Sequence, residues 1–213
     1  MSKVAILITI HEGDDGSSGC LEECQKQIDA VASEGKYSFS IFLNDAGENG
    51  CQAVWESASK EGADFYLWID HDLRLEEGMI ASLLENSEFL RHKAVLVGSV
   101  SRQDKSLLFG GRTRRGRLIE PDPVIPIPCA LFDLSIALVP QYAFAHLEAP
   151  ADFFSRKLLY IGLGKKLARS GVARMVAPGV LATTGRNAEI PVWKDPDSTL
   201  WEKTVWLIRS IFK

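Results

Sequence analysis

The sequence YLWIDHDLRL, residues 66–75, decides the fold. An apolar and aromatic run ends there in two aspartates, Asp70 and Asp72, which are separated by one residue. Carboxylates are poor strand residues, and they are expensive to bury without a compensating partner. At the end of a core strand the two aspartates are therefore expected to lie beside a cleft, where a metal or a ligand compensates their charge.

Two further strands precede this one in the sequence. The run VAILITI at 4–10 and the run YSFSIFLN at 37–44 both read as strands, and apolar residues recur at helical spacing in 20–33 and 51–62. A glycine stops each of the two helical segments. Strands that alternate with helices over short connections predict an α/β fold, with a mixed, mostly parallel sheet that is flanked by helices.

Polar and acidic residues follow each of these three strands. In such sheets ligands bind at the carboxyl ends of the strands, so these residues are candidates for a site. They are His11 and Glu12, then Asn44 and Asp45, then Asp70 and Asp72. Mg²⁺ and Mn²⁺ are often bound by one or two carboxylates together with substrate phosphates. The last pair is therefore predicted to bind Mg²⁺ or Mn²⁺.

The rest of the chain continues the alternation of helices and strands. Helical spacing predicts a helix at 78–90 and a basic helix at 153–171, and apolar runs predict strands at 93–100, 130–140 and 173–181. No internal repeat and no low-complexity segment interrupts the pattern. The sequence thus favours one continuous domain.

Segment 107–128, LLFGGRTRRGRLIEPDPVIPIP, is unusually basic for a chain whose formal net charge is −4. It places four arginines within six residues, namely Arg112, Arg114, Arg115 and Arg117. Guanidinium groups match the geometry of phosphates, so one interpretation is a loop that clamps phosphates. The alternative interpretation is a solvated hairpin.

Composition excludes several functional classes. With 213 residues, of which 46% are hydrophobic and 24% charged, the chain is an ordinary globular protein. Its net charge of −4 argues against a general nucleic-acid binder. The four cysteines form no CxxC pair, so we expect reduced thiols rather than a zinc site or disulfides.

The location of the protein is predicted from its apolar segments. The N-terminal apolar run at 4–10 is too short for a signal peptide or a membrane span, and no other segment approaches the length of a span, so a cytoplasmic protein is expected. The C-terminal stretch 198–213 is predicted to form a basic amphipathic helix with tryptophan, and such a helix can lie on a membrane surface. Peripheral contact with the inner membrane surface, packing on the domain and a homodimer all remain open for it.

The order of four short motifs resembles that of a family 2 glycosyltransferase, the inverting, nucleotide-sugar-dependent class with a GT-A (Rossmann-like) fold. The third strand ends in WIDHD where the family has a motif similar to WLNDD. The sequence continues with FGGRTRRGRLIEP, which is similar to YGGR…RGR…P, and with FDLSIALVP, which is similar to FNGNxVLVP. The last motif, VAPGVLATTGRNAEIPVWKDPDSTLWEKTVW, is similar to VAPG…RN…TWxDP…LxxRW.

The resemblance spans nearly the whole chain and implies a domain organisation and site residues. It implies one GT-A domain at 1–197, with a nucleotide-sugar-binding half at 1–100 and an acceptor half at 101–197. The metal that bridges the donor diphosphate would be held by Asp70 and Asp72. The residues implied to border the nucleotide, its diphosphate or the acceptor are His11, Glu12, Asp45, Arg112 and Arg114.

This sequence departs from the family where the general base is expected. The stretch YIGLGKKLARSG places Tyr160 and Gly162 where the family motif has carboxylates. Displacement at the anomeric carbon needs a base, because an alcohol is a weak nucleophile at neutral pH. The nearest upstream carboxylates are Asp133, Glu148 and Asp152, and Asp152 is the substitute that we predict. The segment between the second and third strands is also shorter than in the family, and FDLS replaces FNGN.

Two functions of different classes follow. The first is a metal-assisted glycosyltransferase that transfers a sugar with inversion, from a UDP- or dTDP-sugar donor to a saccharide or lipid-linked acceptor. The second is a non-catalytic module of the same fold, which lost the base and binds a nucleotide or a protein partner.

Overall fold

The computed structural model describes residues 1–9, 17–44, 50–147, 164 and 166–185. Within them, strands and helices alternate first and strands then dominate. The strands are β1 Ser2–Thr9, β2 Tyr37–Asn44, β3 Phe65–Asp70, β4 Leu73–Leu75, β5 Ala94–Arg102, β6 Leu107–Phe109, β7 Gly111–Arg112, β8 Ile127–Pro128, β9 Leu131–Phe132, β10 Ile136–Pro140 and β11 Ala173–Thr184. The helices are α1 Ser17–Ala32, α2 Gly50–Glu61, α3 Met79–Phe89 and α4 Gln141–Phe144.

A central sheet in the order β2-β1-β3-β10-β5-β11-β4 organises the fold. β1 pairs in parallel with β2 and β3, and β5 pairs in parallel with β11. β10 is antiparallel to both of its neighbours, β3 and β5, and β4 is antiparallel to β11. The structure confirms the predicted α/β fold, in which a mixed and largely parallel sheet is flanked by helices.

The side chains of β3 show how the sheet is covered on both faces. Every residue of this strand is buried, which is typical of a central strand between two helical layers. Phe65, Leu67 and Ile69 face the layer that contains α1 and α3. Tyr66 and Trp68 face the layer that contains α2 and α4. Each such fully buried side chain stabilises the fold by roughly 1.5–3 kcal/mol.

Aromatic stacking fixes the second layer. The ring of Phe144 stacks on Tyr66, with centroids 3.6 Å apart, and on Trp55, with centroids 4.2 Å apart. Trp55 also packs against Trp68, with centroids 5.8 Å apart. These contacts hold α2 and α4 against the centre of the sheet, because large aromatic side chains bury much area at once.

The sequence predicted most of these elements, but one predicted strand is wrong. The run 130–140 is not continuous, because it is divided into β9 and β10 by residues 133–135. β9 pairs with β7 in a separate two-stranded sheet, whereas β10 joins the central sheet. The division arises where the backbone N–H of Asp133 donates to the carbonyl of Gly110, at 3.1 Å, away from the central sheet. Of the predicted helix 153–171, only residue 164 and residues 166–171 are described, and 166–169 are helical.

The described cysteine side chains are buried thiols. Cys20, Cys24 and Cys129 form no disulfide, and burial raises the pKa of each to about 12. Protonated thiols of this kind are inert and pack as small apolar groups. These three residues therefore match the predicted reduced state.

Within the described ranges, no helix combines the length and the apolar character that a membrane span requires.

The substitution Gly98→Ala tests the close packing of β5 against β10. A Cβ at Gly98 would lie 2.7 Å from Cγ2 of Ile136, a fully buried side chain. We expect the free energy of unfolding to fall by about 1–3 kcal/mol, because the added methyl overpacks the core.

Gly19→Ala is the matched control for this change. No described atom lies within 4 Å of a Cβ at Gly19, which belongs to α1. Alanine at that helical position should raise the free energy of unfolding by up to roughly 1 kcal/mol. Urea denaturation of both variants measures the difference, and equal effects would contradict the packing argument.

Candidate active site

The candidate site begins at the carboxyl edge of β1, β2 and β3. Thr9 is the register partner of both Asn44 and Asp70, so the three strands end side by side. Asp70 is 4% exposed, and its backbone N–H donates to the carbonyl of Ser135 at 2.9 Å. The first aspartate of the pair therefore lies at the strand end where the sequence placed it, and its backbone is fixed by the residue that precedes β10.

Asp72 lies in the turn between β3 and β4, and its side chain is held by a residue of β11. Its Oδ2 accepts a hydrogen bond from Oγ1 of Thr184 at 3.0 Å. Thr184 is the last residue of β11 and is itself buried. Sequence reasoning missed Thr184, because the contact joins residues 112 positions apart and no local pattern indicates it.

Helix α1 closes one side of the carboxylate pair. The thiol of Cys20 donates to the carbonyl of Asp70 at 3.6 Å. The pKa of that thiol is raised mainly by burial, then by electrostatic coupling to the Cys24 thiol, and further by the negative charges of Glu23, Asp72 and Asp70 in decreasing order. The first turns of α1 thus lie close enough to the two aspartates for the charges of Asp70 and Asp72 to affect the pKa of Cys20.

The carboxylate oxygens of Asp70 and Asp72 suit a metal ion that a bound ligand also coordinates better than a metal ion that the protein coordinates alone. Among the described residues, no group of three or more histidine, cysteine, aspartate or glutamate side chains could hold a metal ion. Two carboxylates at one strand end suit Mg²⁺ or Mn²⁺ only when phosphate and water oxygens complete the coordination. The metal role of Asp70 and Asp72 stays a prediction, and it requires a phosphate-bearing ligand.

A buried ion pair lies beside Asp70. Oδ2 of Asp133 accepts hydrogen bonds from the backbone N–H of Gly110 at 3.0 Å and from Nε of Arg112 at 3.1 Å. The side chain of Asp133 is 0% exposed, and its Oδ1 accepts no hydrogen bond from the described part of the chain. Burial raises the pKa of Asp133 to about 6; Arg112 opposes this shift, and the charge of Asp70 adds to it.

Sequence reasoning undervalued Asp133. The sequence presents it only as one of three upstream carboxylates and as part of the departure FDLS, and does not indicate its ion pair with Arg112. A charged residue inside the otherwise apolar run ALFDLSIALVP was the signal that could have identified it, since a carboxylate there must find a partner.

The arginine-rich segment forms a hairpin turn. Thr113 and Arg117 are joined by a backbone hydrogen bond of 2.9 Å, and Gly116 adopts φ 79° within the turn. Arg112 is half-buried and pairs with Asp133, whereas Arg114 is exposed at the turn, as are Arg115 and Arg117. The predicted hairpin is thus observed. Of the two arginines predicted to bind the ligand, Arg112 is held by Asp133 and Arg114 is exposed, and their roles at a ligand stay predictions.

Several predicted residues cannot be placed. His11, Glu12, Asp45 and Asp152 lie outside the described residues, and so does the stretch 198–213. Their predicted roles at the nucleotide, as the base and at a membrane surface stay predictions.

Comparison with known proteins supports the fold alone. No protein-family model and no curated protein matches the chain. Among solved structures it is similar to A197 from STIV, with a TM-score of 0.54, 10% identity and coverage of 93% of this chain and 92% of that one. It is also similar to TarS from S. aureus, with a TM-score of 0.51, 9% identity and coverage of 85% of this chain and 36% of that one. These similarities support the observed α/β fold.

The substitution Asp133→Asn tests the burial of this carboxylate. A buried acid whose pKa is raised from 3.8 to about 6 binds its proton more tightly in the folded than in the unfolded state. Its contribution to stability is therefore largest below about pH 4 and is lost as the pH rises to about 6. Asparagine has no such dependence.

We therefore expect the free energy of unfolding of the wild type, relative to Asp133→Asn, to rise on the order of 2–3 kcal/mol between pH 7 and pH 4. Urea denaturation of both proteins at the two pH values gives this difference, in which the contributions of all other groups cancel. If the difference in free energy of unfolding between the wild type and Asp133→Asn is the same at both pH values, Asp133 is not desolvated as described. The same conclusion holds if that difference favours the variant more at pH 4 than at pH 7.

Proposed function

We propose that the protein is a metal-assisted glycosyltransferase, which transfers a sugar from a nucleoside-diphosphate donor to a saccharide or lipid-linked acceptor with inversion. The observation that carries this proposal is the pair Asp70 and Asp72, fixed by Ser135 and Thr184 at the carboxyl edge of a glycosyltransferase-like sheet. Ligands bind at this edge in sheets of this kind.

The roles of the carboxylates follow from their chemistry. Asp70 and Asp72 would hold Mg²⁺ or Mn²⁺, and the bound ion would neutralise the nucleoside diphosphate as it leaves. Thr184 orients Asp72 through its hydrogen bond. Arg112 would contribute a further positive charge to the diphosphate, because guanidinium donates charge-assisted hydrogen bonds to phosphate oxygens.

The acceptor must also lose a proton during transfer. Asp133 does not suit this task, since its side chain is 0% exposed and its Oδ2 is occupied by Arg112 and Gly110. Asp152 therefore remains the proposed base. It would remove the proton of the acceptor hydroxyl as that oxygen attacks the anomeric carbon.

The donor and the location belong to the same proposal. The resemblance to family 2 implies a UDP- or dTDP-sugar, with His11, Glu12 and Asp45 beside the nucleotide. A cytoplasmic enzyme that uses a lipid-linked acceptor would meet it at the inner membrane surface, and the basic amphipathic stretch 198–213 would suit that contact.

A second candidate function is a non-catalytic module of the same fold that binds a nucleotide or a protein partner. It is favoured by Tyr160 and Gly162, which stand where the family has acidic residues. Hydrolysis or transfer of a nucleotide-sugar by the wild type would exclude this candidate.

Binding of UDP in the presence of Mn²⁺ tests the proposed metal site directly. We expect saturable binding by isothermal titration calorimetry, which requires Mn²⁺ and which Asp70→Asn abolishes, because the variant loses one of two metal-binding carboxylates. Asp64→Asn is the matched control, since Asp64 precedes β3 at the opposite edge of the sheet, where it accepts a hydrogen bond from the backbone of Lys3. Absence of binding by the wild type for UDP, dTDP and other nucleoside diphosphates would overturn the proposal.

Thr184→Val tests the anchoring of Asp72. Valine keeps the shape of threonine and removes the donor that holds Oδ2 at 3.0 Å. We expect Mn²⁺-dependent UDP affinity to fall on the order of tenfold, as is usual when a residue that orients a metal ligand is lost. An unchanged affinity, measured in the same titration, would mean that Thr184 has no part in the site.

A further inference from the structure

We infer that Asp133 is a positioning residue, which holds Arg112 in the orientation in which its guanidinium meets the diphosphate of the donor. The inference rests on the proposed function, and it assigns a role to a buried carboxylate that the reaction itself does not use. It is carried by the contacts of the Arg112 guanidinium and by the rigid setting of Asp133.

Two of the three guanidinium nitrogens of Arg112 are fixed within the protein. Nε donates to Oδ2 of Asp133 at 3.1 Å, and Nη1 donates to the carbonyl of Gly116 at 3.1 Å. The third nitrogen, Nη2, makes no hydrogen bond to any residue that the structure describes, and the side chain is 27% exposed. A guanidinium that is held at Nε and Nη1 still has the donors of Nη2 left for a ligand.

Asp133 can fix Arg112 because Asp133 is itself immobile. Its backbone N–H donates to the carbonyl of Gly110, and the backbone N–H of Gly110 donates to its Oδ2. Gly110 adopts φ 145°, and a Cβ there would lie 3.2 Å from Oγ of the buried Ser99. Only glycine fits this position comfortably, so the backbone that carries both groups of the ion pair is tightly constrained.

The ion pair with Asp133 also determines where the positive charge of Arg112 lies. Asp133 precedes Ser135 by two residues, and Ser135 binds the backbone of Asp70, so the carboxylate that holds Arg112 belongs to the loop that meets the end of β3. The charge of Asp70 reaches Asp133, since it raises the pKa of that carboxyl. An unrestrained arginine here would be drawn to Asp70 and Asp72 and would compete with a metal ion. Asp133 provides the alternative partner that keeps the guanidinium away from them.

A double-mutant cycle separates positioning from a purely structural role. The titration uses UDP with Mn²⁺ and compares the wild type with Asp133→Asn, with Arg112→Gln and with the double variant. We expect each single substitution to weaken UDP binding on the order of tenfold, and the double variant to bind no more weakly than Arg112→Gln alone, because Asp133 acts through Arg112.

The controls exclude general effects of charge and of folding. Arg91→Gln removes an exposed arginine next to His92, which packs on Phe65 at the opposite end of β3, and it should leave UDP binding unchanged. Urea denaturation of every variant establishes that it is folded at the temperature of the titration. The double variant removes both charges of the buried pair and so leaves neither charge without its partner, and it remains available if a single variant is unstable.

Each outcome decides the inference. Non-additive losses support it. Wild-type affinity in Asp133→Asn, tighter binding in that variant, or additive losses in the cycle would overturn it while the proposed function stands. No binding of UDP or another nucleoside diphosphate by the wild type would overturn the proposed function, and the inference with it.

Discussion

The antiparallel pairing of β10 with β3 is the constraint on which the candidate site depends. It joins the parallel half of the sheet, β2-β1-β3, to the half that contains β5 and β11. Its first contact is the hydrogen bond from the backbone of Asp70 to Ser135, so the same pairing that unites the sheet brings the loop of Asp133 to the end of β3. The Arg112 pair and the carboxylate pair are neighbours because of this one strand.

The buried pair of Asp133 and Arg112 is better understood as a determinant of geometry than of stability. Removing a carboxylate from water costs more than one ion pair and one backbone hydrogen bond readily return, and its raised pKa expresses that cost. Oδ1, which accepts no hydrogen bond among the described residues, adds to the cost. A protein that retained this arrangement for stability alone would gain more from an apolar side chain, so the position of the arginine is the physical reason that we find for it.

The sequence alone predicts the strands and helices that depend on local pattern. β2 has the predicted bounds, β1 differs from the predicted bounds by no more than two residues, and β3 ends at Asp70 as predicted, because apolar runs of this kind can only be buried in a sheet covered on both faces. The division of 130–140 was not predictable, since it depends on Asp133 contacting Gly110, 23 positions away. The same holds for Thr184 and Asp72, whose contact no window of sequence contains. Local pattern identified the aspartates at the strand end, whereas distant contacts decide which groups surround them.

The position of β10 between β3 and β5 has a consequence for how the chain is made. Both neighbours are earlier in the sequence, and they cannot pair with each other without excluding the strand that belongs between them. During synthesis, a chain that has emerged only as far as β9 leaves one edge of β3 without β10, and it leaves β5 without β10 and β11 and paired with β6 alone. Open apolar edges of this kind recruit strands from other chains. The interval that begins when β5 emerges and ends when both β10 and β11 have emerged is therefore the period in which the nascent protein is exposed to aggregation, and in which a chaperone would protect it most.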